Sequence, residues 1–267
     1  MSTPAVSLKQ VPGVCDLSQH DVTLRPFPHI INTGFIEPEH YMQLRDSFPT
    51  CPPGVGPTGF SLYWGDEGYQ QLLDTQPAWQ ALFNTFHSQH FVDWCSSQFA
   101  EVWEQDGCKI KLSEARYVPY REDRIDKERA ELRKIEHKPH ELWVRMDLHQ
   151  GRMGYDRPVH LDHARRLMSM LIYMCDQNEN EMKGGELFLH ASEKHLPPVC
   201  VTPRHNLMVA FPCSSQSHHS VSPITAQLGP RNYVQVHISS SEDVWPRPAV
   251  PRWRRTLGSL KRRLRGD

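Results

Sequence analysis

Side chains two apart on an extended chain point to the same side. His160-Leu161-Asp162 therefore offers an imidazole and a carboxylate together. A third ligand must come from elsewhere, and HHSVSPI (218–224) supplies a histidine. Two imidazoles and one carboxylate on one face of an octahedral Fe(II) leave three positions open. That is room for a bidentate co-substrate and O₂ together. Arg231 follows on what reads as the next strand. Its planar fork could grip a carboxylate at the back of such a pocket. The chain holds 16 histidines, so no single one is informative; the combination is.

The run from about 140 to 240 continues past Asp162 with RLMSMLIYM (166–174), KGGELFLH (183–190), NLMVAFP (206–212), HSV (219–221) and Arg231. It resembles the 2-oxoglutarate-dependent Fe(II) dioxygenases, in their prolyl-4-hydroxylase-like branch. The family pattern is HxD, an Arg-x-x-Thr/Ser-x-x-x-Tyr strand, a GG-[ET] turn, a distal His-x-Val and a basic residue. RPFPHIINTGFIEPEHYMQLRDSFP (25–49) resembles the start of that branch more loosely. The resemblance implies Fe(II), 2-oxoglutarate and O₂, with His160, Asp162 and His219 as the catalytic iron ligands. His219 is preferred to His218 because it begins the His-x-Val pattern. Arg231 would pair with the distal carboxylate of 2-oxoglutarate, Tyr173 would hydrogen-bond it, and Ser169 would stand where the family often has threonine. A carboxylate at 162, in place of the small residue of the halogenating relatives, implies hydroxylation of a C–H bond. Succinate and CO₂ would be the co-products. One departure is the segment before HxD: RMGYDRP (152–158) is longer than the compact turn usual there.

These residues need a scaffold. Beyond Pro139, short apolar runs alternate with Gly, Pro and Asn: 141–150, 166–174, 185–190, 198–203, 206–212, 218–224 and 232–240. Strands at this spacing, with no helical pattern between them, predict an antiparallel sandwich or barrel. Upstream, 22–35 reads as one or two strands, 37–49 as a short helix and 51–59 as a loop. The aromatic spacing of 76–105 predicts two helices with an apolar inner face. The charged run 124–138 reads either as a solvated helix or loop, or as a lid that Tyr117, Tyr120 and Arg121 could join. The predicted fold is mostly β with α: a double-stranded β-helix (jelly roll) core with an N-terminal helical layer. The boundaries are 1–138 for the strand and helical support, 139–245 for the oxygenase core, and 246–267 for a basic tail.

The substrate is less legible. Trp143, Arg145 and Asp147 alternate along one strand face and are candidates to contact it. Arg145 and Asp147 read equally well as a structural ion pair. A small polar metabolite, a saccharide or a lipid-linked glycan fits this reading, with a protein side chain as the alternative. A metal-binding jelly roll without turnover and a cupin-type enzyme without 2-oxoglutarate are the readings from other classes. Mean hydropathy of -0.59 and the absence of a long apolar stretch fit a soluble chain. The first residues lack a secretory pattern. Seven scattered cysteines, with no CxxC, suggest a reducing, cytoplasmic setting. From Arg247 onward eight Lys/Arg meet one acid, Asp267. As a helix, this tail would be amphipathic and cationic, suited to peripheral contact of 247–265 with a membrane's inner face or an acidic partner. A solvated tail is the other reading. No recognition motif accompanies the charge, so nucleic acid is not an expected partner.

Overall fold

The computed structural model describes residues 13–52, 56, 58–123, 134–192 and 196–246. The cationic tail read as an amphipathic helix, 247–267, and residues 124–133 of the charged run read as a solvated segment or lid lie outside the described residues. In chain order the elements are β1 (Ile30–Thr33), α1 (Pro38–Asp46), β2 (Gly59–Leu62), α2 (Glu67–Thr75), α3 (Pro77–Phe86), α4 (Gln89–Gln98), α5 (Ala100–Trp103) and β3 (Arg116–Tyr117). There follow β4 (Glu141–Gly151), β5 (Arg157–His160), β6 (Arg166–Tyr173), β7 (Leu187–Leu189), β8 (Val199–Val201), β9 (Leu207–Pro212), β10 (His219–Val221) and β11 (Arg231–Ser239).

The strands form two facing sheets. The larger runs β1-β9-β6-β11-β4-β2, with β3 beside β4, and the smaller runs β5-β10-β7-β8. This is the predicted jelly roll with a helical layer on one side. The N-terminal segment does more than support it. β1 pairs with β9 and β2 with β4, so two upstream strands extend the larger sheet at both ends.

The period of two along each strand divides the interior. Val144, Met146, Leu148, Met168, Met170, Ile172, Val234, Val236 and Ile238 face the helices and join the aromatic stripe of Trp79, Phe83, Phe86, Phe91 and Trp94. The alternate residues face the second sheet. There Leu171, Tyr173, Val209, Phe211 and Tyr233 meet Leu187, Leu189, Val201 and Val221. With both faces covered, β6 reads as a nearly unbroken apolar run.

Residues 76–105 hold three helices where the sequence predicts two. Ser88 caps α4 by accepting from the Phe91 N–H at 3.2 Å, and Phe99 ends it before the short α5 begins. Helix α2 has no counterpart in the sequence reading. It buries Tyr69, Leu72 and Leu73, and the Tyr69 hydroxyl donates to Met146 O at 2.8 Å, tying it to β4. Among the described residues, no helix is long and apolar enough to cross a membrane.

His87 ends α3, stacked on Phe83 with centroids 3.7 Å apart. Burial, with Arg121 adding to it, pushes its pKa down to about 3. An unfolded histidine titrates near ~6.5. Below that pH the unfolded chain takes up the proton first, so stability falls as pH drops from about 6.5 towards the folded value. The urea midpoint should therefore be lower at pH 5.5 than at pH 7.5, and His87→Phe should flatten the difference. An unchanged slope in that variant would assign the acid sensitivity to other groups.

Candidate active site

β5 ends at His160 and β10 begins at His219, and the two residues are register partners across the smaller sheet. Their rings lie 4.3 Å apart by centroid. Asp162 follows two residues on, beyond the strand end. One ligand atom from each of His160, Asp162 and His219 falls within 4.8 Å of the others.

The two histidines are oriented alike. His160 Nδ1 lies 2.9 Å from Pro158 O, and His219 Nδ1 lies 2.9 Å from Ser217 O. A carbonyl can only accept, so each Nδ1 carries the proton and each Nε2 keeps its lone pair for a metal. Burial lowers the pKa of His219, against the pull of Asp162, so the ring stays neutral. Burial alone would push the Asp162 carboxyl up. Arg166, His237, His219 and His160 outweigh it and hold the acid well below the usual carboxylate range. Arg166 Nη1 donates to Asp162 Oδ1 at 2.8 Å. Two imidazoles that each keep Nε2 free and an ionised carboxylate are the donor set that a divalent iron needs. His218 lies outside this group.

Arg231 opens β11 at the far end of the cavity, fully buried. Its Nε donates to Gly185 O at 2.7 Å and its Nη2 to the Tyr173 hydroxyl at 3.0 Å. Tyr233, Tyr173 and Tyr155 surround the guanidinium at 4.7, 5.1 and 6.0 Å. Its Nη1 has no hydrogen-bond partner. An orphaned donor on a buried cation is a site for an anion, and a carboxylate of 2-oxoglutarate fits it. The GG turn makes this possible. Gly184 and Gly185 both have positive φ, a Cβ on Gly184 would sit 1.8 Å from Pro223 O, and one on Gly185 would meet Arg231 Cδ at 3.2 Å.

A cavity of about 300 Å³ joins the metal ligands to Arg231. Leu171, Leu187 and Val221 form its apolar wall, while Arg145, Asp147 and His237 lie in its polar lining. Of the three substrate candidates, Arg145 and Asp147 are therefore at the cavity and Trp143 is not. Trp143 shares their strand face but is buried beyond them, with its indole N–H on Glu122 Oε2 at 3.0 Å and Tyr120 packed on its ring. Arg145 and Asp147 also form the ion pair that was the alternative reading, Nε to carboxylate at 2.8 Å. The two readings coexist in one residue pair. Tyr173 touches the site through Arg231, and Ser169 is fully buried on the same inward face, one strand from His237. Tyr117 and Arg121 bond to each other at 2.8 Å, and Arg121 lies over Phe83 and Trp64.

Sequence reasoning missed Glu122 and His237. Glu122 is buried and bonded to Trp143, Arg145 and Arg165. It stands just before the charged run 124–138 and was not singled out. His237 is buried to 1% exposure and lines the cavity. Its inward parity with Arg231 on one strand was the available signal.

Fold and site together define a jelly roll in which two histidines and one carboxylate could hold a metal ion. Residues 146–238 match the family model of the 2OG-Fe(II) oxygenase superfamily. The match supports a dioxygenase enzyme, and the superfamily implies Fe(II), 2-oxoglutarate and O₂ as cofactor and co-substrates. No curated protein matches the sequence. Among solved structures, a prolyl 4-hydroxylase from Phytophthora capsici is similar at 16% identity and a TM-score of 0.48, over 88% of this chain and 68% of that one. A 2OG-Fe(II) oxygenase family oxidoreductase from Burkholderia pseudomallei is similar at 12% identity and 0.46, over 83% and 88%. A prolyl-4-hydroxylase from Pseudomonas putida is similar at 14% and 0.42, over 79% and 92%.

Proposed function

We propose that this dioxygenase hydroxylates an unactivated C–H bond of a small polar metabolite or saccharide. In this reading His160, Asp162 and His219 hold the iron, and Arg231 with Tyr173 holds the distal carboxylate of 2-oxoglutarate. When bound, the iron would supply activation of O₂, the oxidant, one oxygen atom entering the C–OH product and the other succinate as 2-oxoglutarate loses CO₂. The chain's own part is orientation and exclusion. The carbonyls of Pro158 and Ser217 fix the two imidazoles. Leu171, Leu187 and Val221 keep one wall dry, and Arg145, Asp147 and His237 present polar groups to the substrate.

The observation that carries the reading is the buried Arg231 with one nitrogen unpartnered, in the same cavity as the three metal-ligand side chains. Arg231→Met should weaken 2-oxoglutarate binding by about 2–5 kcal/mol, since a buried carboxylate would lose its charge partner. Iron affinity should stay within a few-fold. The concentration of 2-oxoglutarate needed for half-maximal succinate formation, with iron binding measured separately, reads both. If that concentration did not move, Arg231 would not be the anchor.

A longer substrate, such as a protein side chain, is the second reading. A groove of about 750 Å³ adjoins the metal cavity and shares Tyr63, His149, Tyr155 and Arg157 with it. Peptide pools and metabolite pools, compared for the succinate each elicits, separate the two.

A further inference from the structure

Three inward-facing residues lie on one rung of the larger sheet. Arg145 on β4 is the register partner of His237 on β11, and His237 is the partner of Ser169 on β6. All three are buried, at 3%, 1% and 0% exposure. Each keeps a buried polar atom without a hydrogen-bond partner: Arg145 Nη2, His237 Nδ1 and Ser169 Oγ. Arg145 and His237 line the metal cavity. Elsewhere the Arg145 guanidinium is firmly held, by Asp147 at Nε and Glu122 at Nη1. Only its Nη2 edge is left over. A buried donor without an acceptor is costly, and three on one rung are a site awaiting a ligand.

The ligand is not 2-oxoglutarate. His237 lies six residues along β11 from Arg231, which at ~3.4 Å per residue is roughly 20 Å of strand. A five-carbon diacid with one carboxylate on Arg231 and the other at the metal ligands has both ends engaged, which leaves the rung's donors to a second ligand. Charge then selects the ligand class. Arg145, Arg165 and Arg166 are matched by Glu122, Asp147 and Asp162 in ion pairs. What remains is Arg157, Arg231 and the metal dication, against the two carboxylates of 2-oxoglutarate. The loaded cavity is left with two excess positive charges.

We propose that the Arg145–His237 rung binds a carboxylate of the prime substrate, so that the enzyme hydroxylates a small organic acid. This rests on the oxygenase reading above. Arg145 Nη2 donates to the carboxylate, with His237 Nδ1–H as a second donor. Arg145 and His237 then determine specificity, at the opposite end of the strands from the co-substrate anchor.

The test uses the full chain loaded with Mn(II) and N-oxalylglycine, an unreactive analogue of 2-oxoglutarate, so that metal and Arg231 are occupied. Propionate and propionamide are the probes, followed by the paramagnetic relaxation of their methyl protons. The acid should relax at least five-fold faster than the amide at equal concentration. That excess should collapse in His237→Leu, which leaves the ion pairs intact, and in Arg145→Lys. Equal relaxation of acid and amide would overturn the proposal, as water-filled donors would give. So would an excess that survives both substitutions, since the acid would then be on the metal or at Arg157. Failure of N-oxalylglycine itself to bind would instead strike the oxygenase reading, which keeps the two failures distinct.

Discussion

His219→Ala protein should lose succinate formation entirely and bind Fe(II) far more weakly than the native chain. The loss should exceed the ~10–100-fold that removal of an outer-sphere partner typically costs, because a ligand itself is gone. Anaerobic titration with Fe(II) and 2-oxoglutarate reads this through the visible charge-transfer band of the chelate, which should vanish. His218→Ala is the paired control and should keep the band. The physical basis is register. His219 is opposite His160 across the smaller sheet, and its Nδ1 is committed to Ser217 O, so Nε2 alone faces the metal position. His218 is one residue away and turned elsewhere by the strand's alternation. A band that persists in His219→Ala, or is lost in His218→Ala, would mean that the ligand set is wrong.

Glu122→Gln should destabilise the fold by about 3–5 kcal/mol, the usual result of breaking a buried ion pair from one side. One carboxylate oxygen accepts from Arg145 at 3.2 Å and Arg165 at 3.1 Å, and the other from the Trp143 indole at 3.0 Å. Neutralising it leaves two buried guanidiniums with Asp147 as the remaining acid of the cluster. The same change should loosen Arg145, so substrate-dependent succinate formation should fall more than iron binding does. Urea unfolding measures the first effect. A change within ~0.5 kcal/mol, the range of ordinary surface substitutions, would show that the cluster does not hold this corner of the sheet.

The sequence alone determined what local spacing and composition can encode. HxD, the GG turn, HSV and Arg231 fell in order, and the seven apolar runs after Pro139 each correspond to a strand of the two sheets. The aromatic stripe of 76–105 was legible because helical period and burial agree there. Tertiary structure alone decided the rest. Strand β2 is a four-residue segment with no fully buried residue, and it pairs along the edge of β4. Glu122 stands among charged neighbours just ahead of the run 124–138, and only the approach of Trp143, Arg145 and Arg165 makes it a buried acid. Trp143 and Arg145 have the same parity, yet one is in the cavity and the other is walled off, because the cavity ends between their rungs. His237 is opposite Arg145 only through pairing of strands some ninety residues apart. Local sequence fixes which face a side chain takes; which groups meet across that face is set by register between distant strands.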